Sequence, residues 1–413
     1  MQSGIRNFIN KGITMNSKQT QFINILRQFA SGQNAILPND ADMEALFNLS
    51  GVHSLSAVVC YAINHQIISG GFDGMQAAKK FQKSLFTTVA FQTERLTAFD
   101  SLLDVLNQKG IQVILMKGCV INQYYPETTL RTFGDIDFLI KPHQQVLLHD
   151  TMLELGYSFK KDIDTVYTYF KGIEKYEVHT ELLPNRKVLT SGMLDFIDSA
   201  FDNIQPTKRE NIFEFEPSYH FAFLLLHLAK HMRADGAGAR MYLDLALMIK
   251  NEDSLDFEKV IIHTKKLELY DFLHSAIYLC LKWFGTKPTI ELIPPNDNAF
   301  TLMQEYVISA GIFGLYERNP AIQRLRNEKR DINKKPALLT YIFPSYKSMK
   351  NKYKFLNGKP YLLPVVWIVR WFDGIFLRRK KAATIFRGMF TEGRAAEISE
   401  AMLNGIGIKS TIK

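Results

Sequence analysis

Residues 134–140 read Gly-Asp-Ile-Asp-Phe-Leu-Ile, two carboxylates set into an apolar, strand-like run. Side chains alternate faces along a strand, so Asp135 and Asp137 project to the same side. Two adjacent carboxylates repel and raise each other's pKa unless a cation sits between them. Hard divalent cations such as Mg²⁺ (or Mn²⁺) take oxygen ligands and keep several waters for substrate phosphates. Asp-x-Asp occurs twice more, at 40–42 and 162–164. The first sits in a Pro-Asn turn, and the second lacks the glycine and the apolar continuation. Only the pair at 135 and 137 has Arg131 four residues before it, Gly134 beside it and an apolar strand after it.

Two further stretches fit that chemistry. Lys117-Gly118 follows the apolar run "IQVILM" (111–116). A strand, a glycine and a short helix can turn backbone N–H groups toward a phosphate, and Lys117 adds a point charge. The bland alternative is a strand-to-helix turn with a surface lysine. In "YEVHTE" (176–181) Glu177, His179 and Glu181 share one face of a predicted strand. Glu177 is the expected third carboxylate with His179 beside it, and Glu181 reads as exposed. Together these residues point to a metal-bound nucleoside triphosphate (NTP), with paired metals stabilising both oxygens of an in-line phosphoryl displacement.

Lys-Gly, a Tyr-Tyr-Pro spacer, Arg131, Gly-Asp-Ile-Asp-Phe-Leu-Ile and Glu-Val-His-Thr-Glu-Leu resemble an uncharacterised bacterial nucleotidyltransferase family of the polymerase-β-like superfamily. The motif core spans about 111–182, and the flanking helices and "LLPVVWIVRW" are similar too. The resemblance implies an α+β fold, a nucleotidyltransferase-like mixed sheet flanked by N-terminal and C-terminal helical regions. It matches Asp135 and Asp137 to the metal-binding pair and Glu177 to the third acid. Lys117, Gly118, Arg131, Gly134 and His179 are the expected nucleotide-side residues. One departure stands out. Most of the superfamily carries Gly-Ser after the first strand, where this chain has Lys117-Gly118-Cys119.

The elements that must position these groups follow from periodicity. Residues 17–107 carry apolar side chains at three- and four-residue spacing, which predicts helices. Strands are expected at 111–116, 134–140, 165–170 and 175–182, with a helix closed at Gly156 between the second and third. From about 190 the pattern turns helical again. The expected regions are 1–107 helical, 108–190 the α/β core, 191–317 helical and bordering the site, and 318–413 basic and aromatic-rich. Hydrophobic content of 46% with 22% charge indicates a folded globular chain. Net charge is +9, yet residues 318–381 alone hold 17 Lys and Arg against 3 Asp and Glu. The basic character therefore belongs to one segment, of a kind that attracts phosphates, nucleic acid or anionic lipid.

Cys60, Cys119 and Cys280 are too few and too scattered for a disulfide framework, so no disulfides and a reducing compartment are expected. The first residues lack the apolar core of a secretion signal and no stretch has the length of a membrane span, which suggests a cytoplasmic protein. Residues 360–381, with two Trp and a basic end, suit an interfacial helix on an anionic inner membrane face, or an ordinary buried helix. His220, His227 and His231 share one helix face. The i, i+4 pair has zinc spacing without the glutamate of metalloproteases, so a place in the core or at the site rim is preferred. Lys230, Arg240 and Asp244 are rim candidates.

The expected activity is metal-dependent transfer of a nucleoside monophosphate from an NTP, ATP foremost, to an unknown acceptor: sugar, lipid-linked glycan, protein or nucleic acid. The alternative is an inactive nucleotide-binding or membrane-associated scaffold.

Overall fold

The computed structural model describes residues 15–38, 40–72, 75–163, 165–183, 186, 189–234, 236–310, 346–349, 358–364, 366–367 and 399–409. The N-terminal helical region forms as its periodicity predicts, as α1 (Ser17–Ser31), α2 (Met43–Val52), α3 (Ser56–Ile68) and α4 (Gln76–Gln108). Asn16 and Gln19 close a capping box at the start of α1, and Gly32 ends it in the left-handed region at φ 78°. With 33 residues, α4 is about 50 Å long. That length lets one helix serve two cores.

The sheet begins with β1 (Val113–Leu115), which leads into the short helix α5 (Gly118–Ile121) and then to β2 (Ile136–Ile140). Helix α6 (Gln145–Glu154) ends near Gly156 at φ 82°, as expected. Strands β3 (Ser158–Ile163), β4 (Val166–Lys171) and β5 (Glu174–His179) follow as a meander. After α7 (Ser191–Asp198) come β6 (Ile204–Pro206) and β7 (Ile212–Phe215). Among the described residues these make one seven-stranded sheet in the order β3-β4-β5-β2-β1-β7-β6. The β1–β7 and β2–β5 pairs are parallel and the others antiparallel, so the sheet is mixed and the fold is α+β, as expected.

Three strands depart from the sequence reading. β3 carries two lysines and an aspartate, a composition that an edge strand tolerates and that hides its alternation. β6 and β7 lie in the segment expected to be helical beyond 190. β7 is only four residues long and flanked by charge, yet it enters the sheet beside β1.

The helical remainder includes α8 (Pro217–Ala234), α9 (Ala239–Asn251), α10 (Phe257–Lys266), α11 (Tyr270–Phe284) and α12 (Asp297–Ala310). One face of the sheet presents Phe138, Ile140, Tyr176 and Val178 to Phe99, Leu102 and Leu106 of α4 and to Leu148 and Met152 of α6. The other face presents Ile114, Met116 and Leu139 to a larger core, built from α1–α3, the first turns of α4, and α8–α12. This core runs across the boundaries expected at 107 and 190, so the flanking helical regions pack as one body around the sheet. The side chains of Asp135, Asp137, Lys175, Glu177 and His179 alternate onto this second face. Among the described residues no helix is long and apolar enough to cross a membrane. Most of 318–381, including 368–381 of the expected interfacial helix, lies outside the described residues.

Candidate functional site

Parallel pairing of β2 and β5 sets Asp137 directly opposite Glu177 and Leu139 opposite His179. Asp135 lies just before β2 and shares the face of Asp137. The carboxylate and imidazole donors of Asp137, Glu177 and His179 fall within 4.8 Å of one another. Sequence alternation predicted which residues share a face. The pairing of β2 with β5 supplies the convergence.

Two ammonium groups pair with the three acids. Lys117 donates to Asp137 Oδ1 at 2.6 Å, with the two side chains 17% and 9% exposed. Lys175 donates to Asp135 Oδ2 at 2.9 Å and to Glu177 Oε1 at 2.7 Å. His179 Nε2 lies 2.9 Å from Asp137 Oδ1. Burial alone would raise the pKa of Asp137, but the Lys117 ammonium, aided by His179, holds it far below the usual carboxylate range. Glu177 moves the other way, raised by burial and by the charge of Asp135. Burial lowers His179, which favours its neutral form. The three acids are thus not equivalent. Asp137 is a firm anion, whereas Glu177 is the one whose environment favours taking up a proton.

The loop that carries Lys117 has an unusual backbone. Lys117 adopts φ 59°, ψ −129°, a region that side chains rarely enter. Its N–H donates to Nε2 of the buried His220 at 3.0 Å. The N–H of this residue is therefore tied to the scaffold, and the ammonium is the group that faces the acids. His220 accepts through Nε2 as a neutral ring, and burial depresses its pKa to about 3. Gly118 sits against Arg131: a Cβ there would lie 2.3 Å from Arg131 Nη1. Glycine is needed at 118 for this close approach.

Arg131 was expected beside a triphosphate. Its guanidinium is buried instead, donating to Asp244 Oδ2 at 2.8 Å and to Oδ1 at 3.3 Å. Tyr125 donates to the same carboxylate at 2.8 Å. Arg240 donates to the Thr132 carbonyl at 2.9 Å, and Arg95 of α4 donates to the carbonyls of Phe133 and Gly134. Three guanidiniums therefore grip residues 131–134 and fix the chain that delivers Asp135. Asp244 and Arg240, read as rim candidates, belong to this support. Gly134 has no left-handed backbone, and a Cβ on it would meet open space.

Beside the acids lies a cavity of about 240 Å³, lined by Lys117, Glu177 and His179 and by Val166, Leu226 and His227 among others. His227 and His231 approach each other at 3.1 Å between their Nε2 atoms. Of the three histidines of α8, His220 anchors the loop, His227 lines the cavity and His231 stands behind it.

Residues 39–285 match the sequence model of a family described as "uncharacterised nucleotidyltransferase". The match spans more than half of the 413 residues. The chain belongs to this family. The match takes in every residue of the candidate site described above, together with the helices that support it on both sides of the sheet. No curated protein matches the chain. A solution structure of "Antibiotic-Resistance Factor ANT(2'')-Ia" aligns at 13% identity with a TM-score of 0.33, over 46% of this chain and 96% of that one. At that score the likeness carries no argument about this nucleotidyltransferase.

Sequence reasoning singled out Asp135, Asp137, Glu177, His179, Lys117 and Gly118, and these come together. It missed Lys175 and Arg95. Lys175 had a readable signal, since it stands two residues before Glu177 and so shares its face. Arg95 had none, because it sits in mid-helix 38 residues from its first partner. Cys60, Cys119 and Cys280 are all free thiols, in line with the expected absence of disulfides.

Proposed function

We propose that this nucleotidyltransferase moves a nucleoside monophosphate from an NTP, ATP foremost, to an acceptor, with release of pyrophosphate. One observation carries the reading: Asp137 and Glu177 face each other across a parallel strand pair, with Asp135 on the same face. Oxygen donors in that arrangement, already held by ammonium groups, suit a hard divalent cation. Asp135, Asp137 and Glu177 would hold Mg²⁺ or Mn²⁺. When bound, the ion supplies charge neutralisation for the triphosphate and for the leaving pyrophosphate.

The chain's own residues have separate tasks in this reading. Lys117, on its strained and anchored loop with Gly118, turns its ammonium to the triphosphate. Glu177 either completes the cation site or takes the proton of the acceptor as the new bond to the α-phosphorus forms and the bond to pyrophosphate breaks. His179 orients the Asp137 carboxylate. Arg131 contributes from behind the loop, by holding Gly118 and the approach to Asp135. The acceptor is a sugar, a lipid-linked glycan, a protein or a nucleic acid. The proposal extends to a cytoplasmic location with peripheral contact to anionic membrane through 360–381.

The second reading, a nucleotide-binding scaffold without turnover, is favoured by Lys117 and Lys175 already pairing with the acids. An α-labelled NTP with Mg²⁺ and a cell extract as acceptor pool separates the two. Pyrophosphate release with label transfer, lost in Asp135→Asn/Asp137→Asn, supports the transferase. Nucleotide binding without either product supports the scaffold.

A further inference from the structure

Lys175 precedes Glu177 by two residues on β5, so both side chains leave the same face. The β2–β5 register, Ile136 with Tyr176, sets position 175 beside Asp135. Its ammonium reaches Asp135 Oδ2 at 2.9 Å and Glu177 Oε1 at 2.7 Å. The three side chains are 34%, 35% and 24% exposed, so the ammonium bridges two acids at the open edge of the site. Lys117 occupies the third acid, Asp137, from the more buried side.

Three carboxylates face two ammonium groups. Between these groups the acids are in excess by one negative charge. A divalent ion arriving alone would reverse that to one net positive charge in a partly desolvated space. The same ion arriving with a triphosphate brings enough negative charge to cover both itself and a displaced ammonium.

From this we propose that Lys175 is a resident counter-ion: it occupies the oxygens of Asp135 and Glu177 that a divalent cation needs, so the cation binds tightly only together with a nucleotide. The inference rests on the reading of Asp135, Asp137 and Glu177 as the cation site. It adds a residue that sets the order and coupling of binding. Lys175 acts through the acids and is a positioning residue, not a catalytic one. Its long, partly exposed arm can leave the acids and follow the phosphates without any backbone movement.

The test is a Mn²⁺ titration of the full chain followed by electron paramagnetic resonance, first without nucleotide and then with α,β-methylene-ATP. Lys175→Met should bind free Mn²⁺ roughly tenfold more tightly than the parent, the scale of two partly exposed ion pairs. The gain in Mn²⁺ affinity on adding the analogue should shrink by at least that factor, because in the nucleotide complex Lys175 has already left the acids. Lys175→Arg, which keeps the charge, should behave like the parent. Lys175→Gln serves if the Met variant does not melt cooperatively. Unchanged or weaker Mn²⁺ binding in the charge-removing variants would overturn the proposal while leaving the cation site intact, provided that Asp137→Asn abolishes binding. Mn²⁺ binding insensitive to Asp137→Asn would instead overturn the cation site itself.

Discussion

Two opposed effects meet at Lys117, and two substitutions separate them. Its backbone stands at φ 59°, ψ −129°, where glycine is at ease and a side chain is strained. Its ammonium forms a largely buried ion pair, 2.6 Å from Asp137. Lys117→Met keeps the strained backbone and removes the charge. Stripping one partner from a buried pair costs roughly 3–5 kcal/mol. His179 still contacts Asp137 at 2.9 Å, so the lower end, about 3 kcal/mol, is expected. Lys117→Gly removes the same charge but also relieves the backbone, a gain of roughly 1–3 kcal/mol. Glycine gives back about 0.4–1 kcal/mol through the greater freedom of the unfolded chain. The glycine variant should therefore be less stable than the parent yet about 1–2 kcal/mol more stable than the methionine variant. Urea unfolding checks this through the midpoints, compared at equal slopes. A glycine variant no more stable than the methionine one refutes the strain. A methionine variant as stable as the parent refutes the ion pair.

Gly118→Ala should cost roughly 1–3 kcal/mol, because its Cβ would press on a guanidinium that Asp244 holds in place, and an unchanged thermal midpoint would contradict the packing. Acid should destabilise the fold before carboxylates titrate. His53 is fully buried and serves as a neutral ring, accepting from the Ala239 N–H and facing the Ile308 carbonyl. Burial lowers its pKa from 6.5 to about 4. The unfolded chain therefore binds the extra proton first, so the stability from this group is full above pH 6.5 and falls as pH drops toward 4. His53 alone should contribute a loss of about 2 kcal/mol by pH 5, so His53→Gln should lose that much less than the parent between melts at pH 7.5 and 5. If 360–381 forms an interfacial helix, the full chain should sediment with anionic vesicles at low salt and less at high salt. Replacing Arg378–Lys381 by glutamine should remove most of that binding, since each basic residue near the surface contributes about 1 kcal/mol. A folded chain that never sediments contradicts the membrane contact.

Local pattern made much of this molecule legible. Three- and four-residue spacing announced α1 to α4, and alternation placed Asp135 with Asp137 and Glu177 with His179 on common faces. Those are properties of single segments. What stayed hidden depends on contacts between distant segments. β7 is a four-residue strand whose place beside β1 is fixed by a partner about a hundred residues away. Arg131 reads as a phosphate contact from its charge and its position before Gly134. Its carboxylate partner in the structure, Asp244, lies 113 residues later, beyond the reach of any local pattern. His220 shows only as one of three histidines on a helix face, and the loop N–H it accepts is set by how α8 packs on the end of β1. The positive φ of Lys117 has no sequence signal, since a glycine is what such a backbone would announce.

Everything proposed for this site rests on Asp135, Asp137 and Glu177 forming a divalent-cation site for an NTP. Calorimetric titration of the full chain with α,β-methylene-ATP, in Mg²⁺ and then in EDTA, measures that property. Such a site gives binding in Mg²⁺, a large loss in EDTA, and the same loss in Asp135→Asn/Asp137→Asn with Mg²⁺ present while that variant still melts cooperatively. Equal nucleotide binding in Mg²⁺ and EDTA, by parent and variant alike, would contradict it.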